Sequence, residues 1–155
     1  MVGGVASIYI INRNGSLIYD QEFQAGTQTL SSNDKIRLAS TFHGCSALAA
    51  QTSPAAPPRG SAAGLGFLQP TGILSIDADT FRLQCFHTPT GMKLFAIVLP
   101  PLIDCEPLLR QTYGLYSDYV LKNPFYELDM PVRIELFDRE VRRLFAEQGP
   151  PAGAK

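Results

Sequence analysis

Few side chains in this sequence could catalyse a reaction or bind a metal ion, and their spacing does not favour either role. The two histidines, His43 and His87, are too few for a histidine-rich metal site. Cys85 and His87 would share a face on a strand, but a thiol in an apolar strand usually fills space rather than reacts. Asp77 and Asp79 flank a short turn, where a structural role in the turn is more common than metal binding. We therefore predict no catalytic residue, no cofactor and no metal site.

Composition points away from several other classes of function. The 155 residues carry a formal net charge of −1 with a pI of about 6.1, which does not favour nucleic acid or an anionic membrane. No apolar run reaches the ~20 residues of a membrane span, and the N-terminus MVGGVASIYII lacks the basic start of a signal peptide. Phosphate-loop glycines and a nucleophile elbow are also missing. Three scattered cysteines fit a reducing compartment.

Apolar runs and turn residues predict a sheet with one helix inserted between its strands. Five strands are predicted, at 7–12, 17–23, 72–77, 80–87 and 92–99. Asn14-Gly15 predicts a two-residue hairpin turn between the first two strands, because both residues tolerate positive φ. Pro89, Thr90 and Gly91 turn the chain between the last two.

The first helix is predicted from about 33 to 51, with Asn33 as its N-cap and Asp34 in the first turn. Its apolar stripe should face the sheet and comprises Leu38, Phe42, Cys45 and Ala49. The outward flank carries small residues beside one arginine, and this candidate partner-binding set comprises Arg37, Ser40, Thr41, Gly44 and Ala47. Small residues let another backbone approach closely, although a solvated flank of indifferent sequence is an equally open reading.

The second helix is predicted at 106–122, with Asp104 as its cap. Asn123 and Pro124 must end it, since proline disfavours helical geometry in the residue before it. Apolar residues occupy more than one stripe of this helix, which favours burial against the closing helix or against a partner.

A proline-bracketed crossing links the second helix to the last one. We predict that Phe125 and Tyr126 are buried there and cement the junction between the helices, because exposed apolar bulk is costly. Pro131 ends the crossing, and the closing helix is predicted at about 135–147. Its inward residues should be Phe137, Val141, Leu144 and Phe145.

The order strand, strand, helix, three strands, helix, helix indicates the α+β class. We expect one domain at 1–148, with a mobile loop rich in Ala, Pro and Gly at 52–70 and a disordered tail at 149–155.

Several phrases of the sequence together resemble one known family. SDYVLKNPFYELDMPVRIELFD is similar to the signature of the small longin-fold TRAPP subunits, in particular their synbindin branch, the subunit 4 family. IRLASTFHG, DTFRLQCFHTPTGMK and the opening SIYIINRNGSLIY agree with it. The phrases stand in the family's order, and the resemblance runs from Ser7 to Phe145.

The resemblance implies a longin-like (profilin-like) fold, a five-stranded antiparallel sheet with one helix on one face and two on the other. It also implies a non-catalytic subunit of TRAPP, a tethering complex that exchanges guanine nucleotide on a Rab-type GTPase in ER-to-Golgi and related transport. The implied partners are other TRAPP subunits, including a second longin subunit, and the GTPase. No nucleic acid is implied, and membrane association is peripheral, through the complex, at the cis-Golgi and the endoplasmic reticulum from the cytoplasmic side.

In the family, the first helices of two paired longin folds face the GTPase. Carried over to this chain, that contact falls in 33–51 and coincides with the small-residue flank. The sequence also departs from the family. Animal members carry a PDZ-like insertion where Phe23 here nearly meets Asn33, the loop at 52–70 is longer than usual, and Gly114 stands where a charged helix former is common.

Two alternatives within the same fold class remain open. A longin-type SNARE would need a heptad helix and a membrane anchor after the domain, which we do not expect here. A longin-fold subunit of a different coat, adaptor or tethering complex is the second alternative, and the phrase KNPFY…MP…F argues against it.

Overall fold

The computed structural model describes residues 4–23, 29–52, 72–100 and 103–147. Within these ranges the chain forms strands and helices in the predicted order, which confirms the α+β class. The elements are β1 (Gly4–Ile11), β2 (Leu17–Glu22), α1 (Ser32–Thr52), β3 (Ser75–Asp77), β4 (Arg82–His87), β5 (Lys93–Leu99), α2 (Glu106–Tyr116) and α3 (Glu135–Glu147). Apart from Thr52, the predicted mobile loop at 52–70 lies outside the described residues, as does the predicted tail at 149–155.

The strands form one antiparallel sheet in the order β2-β1-β5-β4-β3. β1 lies inside the sheet and pairs with β2 on one side and with β5 on the other, so that Tyr9 stands opposite both Asp20 and Phe95. A strand paired on both edges and covered on both faces is expected to be mostly apolar. Accordingly, every residue of β1 from Val5 to Ile11 is buried.

One helix covers one face of the sheet and two cover the other, as expected for a longin-like domain. On the α1 face, Phe42 packs 4.8 Å from Phe95 between ring centroids, and Phe95 stacks on Tyr9 at 5.0 Å. On the opposite face, Phe137 of α3 meets Tyr19 edge-on at 4.8 Å, and the ring of Tyr116 lies 6.3 Å away. The buried residues on the two faces of the sheet therefore form two separate hydrophobic cores.

The connection between β1 and β2 is longer than the predicted two-residue turn. It spans residues 12–16, where Asn12 Oδ1 accepts hydrogen bonds from the backbone N–H groups of Asn14 (3.0 Å) and Ser16 (2.9 Å). Gly15 alone takes positive φ there, at 86°. Backbone bonds also close the connection, from the Asn12 N–H to the Ser16 carbonyl and from the Gly15 N–H to the Asn12 carbonyl, each at 3.0 Å. The register shifts after Ile10.

The strand predicted at 72–77 is shorter than its apolar pattern indicated. Gly72 has a φ of 119° and lies against Ser46 of α1, and the N–H of Ile73 donates to Ser46 Oγ at 3.3 Å. The chain therefore contacts the helix before it pairs with β4, where the Leu74 carbonyl accepts from the Cys85 N–H at 2.8 Å and β3 follows from Ser75. Next to it, β4 begins at Arg82 because Ala78 N–H bonds the carbonyl of Phe81 and closes a turn.

α2 ends in a wider π-helical turn, Ser117–Leu121, so the predicted 106–122 helix changes type before it stops. Cys105 occupies the N-cap position without a side-chain bond. The predicted cap, Asp104, instead accepts from the Glu106 N–H at 3.1 Å and from the Gln84 side chain at 2.7 Å, and these bonds lower the pKa of its carboxyl. α3 matches its predicted bounds, with Leu144 only half-buried.

The prediction that Phe125 is buried is wrong. Asn123 makes a side-chain turn in which its Oδ1 accepts from the Phe125 N–H at 3.0 Å, and this turn leaves Phe125 95% exposed. The core residue of this crossing is Val132, whose N–H donates to the carbonyl of Ile18 on β2 at 2.7 Å. Tyr126 is half-buried against the same core, as predicted, and its hydroxyl donates to the Met130 carbonyl at 2.6 Å.

Candidate partner-binding surface on the first helix

The N-cap of α1 lies two residues before the predicted one. Ser31, not Asn33, holds the N-cap role, since its Oγ accepts from the Asp34 N–H at 3.2 Å and donates to the Asp34 carboxylate at 2.7 Å. This reciprocal pair resembles a capping box with aspartate in place of glutamate. Asp34 also places its charge at the positive end of the helix.

Ion pairs anchor the first turns of α1 to the edge of the sheet. Lys35 Nζ lies 2.8 Å from the Asp20 carboxylate and 3.0 Å from that of Glu22, both on β2. Burial lowers the pKa of Lys35, but the bonds to the two carboxylates outweigh it and the pKa is raised overall. The helix therefore enters over β2 in a fixed orientation.

The inward face of α1 is rotated from the predicted stripe. The buried residues are Ala39, Phe42 and Ser46, whereas Cys45, predicted to face the sheet, is exposed. Ser46 is inward because its hydroxyl supplies the acceptor for the chain segment that leads into β3. A polar residue with a partner in the structure cannot be recognised as buried from hydrophobicity alone.

The predicted outward set is exposed as a whole. Arg37, Ser40, Thr41, Gly44 and Ala47 are all exposed. Nothing lies within 4 Å of the position where a Cβ on Gly44 would stand. The structure thus brings all five residues to one open face of α1, here called the small-residue face.

Two large apolar residues frame this face, and the sequence prediction missed them. Ile36 is 52% exposed and Leu48 is 60% exposed. Ile36, Ser40, Gly44 and Leu48 recur every four residues and therefore lie along one side of the helix. That spacing was visible in the sequence, but both apolar residues stand outside the stripe that was assigned to the core.

Cys85 and His87 do meet on one face of β4, with Sγ 3.7 Å from Nε2. The same Nε2 lies 2.8 Å from the carbonyl of Ile73, which can only accept, so this nitrogen carries the proton and cannot act as a base toward the thiol. Burial raises the pKa of Cys85 to about 12. The pair is therefore suited to packing and not to nucleophilic chemistry.

The carboxylates considered for metal binding have other partners or stand apart. Asp77 pairs with Arg82 across the turn that joins β3 to β4. Among the residues that the structure describes, no three His, Cys, Asp or Glu side chains are grouped to hold a metal ion.

A protein-family model described as the sybindin-like family matches residues 5–148. The chain belongs to the sybindin-like family. Trafficking protein particle complex subunit 4 of Dictyostelium discoideum is 46% identical over 140 residues, covering 90% of this sybindin-like chain and 95% of the relative. The Bos taurus protein of that name is 41% identical over 124 residues. The chain spans about half the length of this mammalian relative, of which 51% is covered, and 80% of the chain is matched.

A second group of relatives carries a different subunit name. Trafficking protein particle complex subunit 1 of Dictyostelium discoideum is 24% identical to the sybindin-like chain over 148 residues, covering 94% of it and 96% of the relative. Among solved structures, Myxococcus xanthus MglB overlaps 74% of the chain with a TM-score of 0.45 and 16% identity, covering 78% of its own length. No helix in the described parts of the sybindin-like chain is both long and apolar enough to cross a membrane.

Proposed function

We propose that this chain is a non-catalytic subunit of a TRAPP tethering complex. It pairs with a second longin-fold subunit, and the two first helices form a platform on which a Rab-type GTPase exchanges its nucleotide in ER-to-Golgi and intra-Golgi transport. The names of the relatives support the complex, and the open small-residue face of α1 is the single observation that supports the platform.

Exposed apolar side chains also favour a role inside an assembly. Those with more than a third of their surface open include Ile36 and Leu48 on α1 and, beyond α2, Leu121, Phe125, Leu128, Met130 and Leu136. Single exposed apolar residues are ordinary, but several on one short stretch usually mark a contact with another protein. Phe125 stands out because hydrogen bonds hold its turn while the ring contacts solvent.

The small-residue face suits a platform for a physical reason. Burying long flexible side chains costs up to about 2 kcal/mol each in lost rotamer freedom, whereas Ser, Gly and Ala cost little. A specific interface needs about 800 Å² from each partner, which one helix face supplies only in part. A paired subunit must therefore supply the remaining area, and membrane attachment at the cis-Golgi and endoplasmic reticulum would come through the whole complex.

Gly44→Arg tests the platform, because it places a long charged side chain on this face while leaving the inward residues of α1 unchanged. Gly114→Arg on α2 is a matched control, since it is also an exposed helical glycine with nothing within 4 Å of a Cβ. Arginine is the better helix former by up to about 1 kcal/mol, so both variants should melt at or above the temperature of the native chain.

We expect Gly44→Arg to weaken pairing with the second longin subunit, or nucleotide exchange by the assembled complex, and Gly114→Arg to leave both intact. Pull-down from cells with the tagged chain and exchange assays on the purified complex measure these outcomes. Normal pairing and exchange with Gly44→Arg would remove α1 from the functional surface. Partners that belong to another coat, adaptor or tethering complex would favour the alternative function.

A further inference from the structure

Lys93 is a half-buried lysine that pairs with no Asp or Glu side chain in the described parts of the chain. All 14 acidic side chains of the protein lie in the described ranges, and none comes within 4.0 Å of its ammonium. The other two described lysines are both paired, Lys35 with Asp20 and Glu22, and Lys122 with Asp118. Lys93 Nζ lies 3.4 Å from His43 Nδ1.

The connection between β1 and β2 brings a second positive charge to this place. Arg13 is exposed in the β1–β2 connection and also lacks an acidic partner among the described residues. Its Cβ is 3.2 Å from where a Cβ on Gly91 would stand, in the turn just before Lys93. The same connection touches α1, since a Cβ on Gly15 would lie 2.7 Å from the His43 ring. Arg13, His43 and Lys93 are here called the basic corner.

The basic corner is continuous with the small-residue face. His43 directly precedes Gly44 and stands one helical turn before Ala47, so its ring borders that face. Burial lowers the pKa of Lys93, and the pKa of His43 is lowered by burial and by the charge of Lys93. A partly dehydrated cation without a counter-ion costs folding energy, which is regained when a carboxylate arrives.

We propose that Lys93, together with Arg13, receives carboxylates from an acidic surface of the protein that docks on the small-residue face. This inference rests on the proposed function and adds the chemistry of the partner. In the free chain, neutral His43 accepts a hydrogen bond from Lys93. When the partner binds, one of its carboxylates replaces His43 as the acceptor. Charge complementarity of this kind raises the association rate and fixes the register of docking.

The size of the basic corner favours a protein over a lipid surface. Polybasic membrane sites gather about four to eight lysines and arginines. The corner holds two, on a chain whose net charge is −1, beside a helix face of uncharged small residues. Two or three carboxylates on a protein match that charge.

Lys93→Met removes the charge and keeps most of the apolar stem. Binding would be titrated for two proteins, the second longin subunit with this chain and the Rab-type GTPase with the assembled pair, each at low and high salt. We expect Kd for one of them to rise roughly tenfold and its salt dependence to flatten. Arg13→Gln should act in the same direction, and Lys93→Arg should retain binding. Lys122→Met, which removes a lysine already paired with Asp118 just after α2, should match the native chain. Thermal melting should show Lys93→Met to be at least as stable as the native protein.

Unchanged affinity and salt dependence for both proteins with Lys93→Met would overturn the inference. If Gly44→Arg still abolished docking in that case, the proposed function would stand and only the inference about Lys93 would fail. If Gly44→Arg also had no effect, both would fail. Loss of binding to phosphatidylserine vesicles with unchanged protein affinities would also overturn the inference and assign the corner to a membrane.

Discussion

Tyr116 and Phe125 are two aromatic residues with opposite surroundings. Tyr116 is 1% exposed and packs edge-on toward Phe137, while Phe125 is 95% exposed. Truncating a buried aromatic ring removes its transfer free energy and leaves a cavity. We expect Tyr116→Ala to cost about 3 kcal/mol or more in the free energy of unfolding, and Phe125→Ala to cost less than about 1 kcal/mol.

Urea denaturation of the two variants checks this pair. The native chain is the reference, and Phe125→Ala serves as a control for the loss of an aromatic ring at a site without packing. Equal losses in both variants would mean that Phe125 packs in solution. The contrast between these residues could not be predicted from the sequence, because the side-chain turn at Asn123 decides the direction of Phe125 and hydrophobicity does not.

At the scale of elements, α1 depends on its first turn. Ser31 is the N-cap by two hydrogen bonds with Asp34, and Lys35 then ties the helix to β2. Ser31→Ala removes both bonds and should cost about 1 kcal/mol of stability. Asn33→Ala changes the residue that the sequence predicted as the cap. It should change the free energy of unfolding by less than about half of the loss expected for Ser31→Ala. Thermal or urea unfolding measures both, and a larger loss for Asn33→Ala would place the cap where the sequence predicted it.

The sequence predicted elements better than it predicted their orientation. Apolar periodicity located every described helix and strand to within a few residues, because burial of one face is what forms them. The rotation of α1 followed from Ser46, whose inward position depends on a bond to Ile73 that only the folded chain provides. The hairpin length followed from Asn12 in the same way. The open small-residue face was predicted, whereas the charge beside it depends on three separate segments meeting and could not be.

At the scale of the whole molecule, both histidines should make stability depend on pH. Burial lowers the pKa of His43, and Lys93 lowers it further. Burial also lowers the pKa of His87, against the bond to Ile73, and Lys93 again adds to the shift. The groups that face them are Lys93 and the Cys85 thiol on the sheet, so no carboxylate favours the charged forms.

The unfolded chain therefore binds protons more readily than the folded one in this range. Stability should be complete above the ordinary histidine pKa of 6.5 and should fall as the pH drops through the lowered folded values. Melting temperatures measured from neutral to mildly acidic pH test this. The double variant His43→Gln with His87→Gln should melt with a flatter pH profile, and an unchanged profile would assign the acid sensitivity to other groups.

The place of β1 inside the sheet has a consequence for how the protein is made. β1 is synthesised well before its second neighbour, β5, which begins only at Lys93. One edge of the most apolar strand therefore has no partner until β5 has left the ribosome. Such distant pairing gives a high contact order, and contacts of this kind form late and slowly. During that interval β1 and β2 expose an unpaired strand edge, the feature that drives strand-to-strand aggregation. A nascent chain of this topology is therefore most exposed to aggregation before β5 has been made.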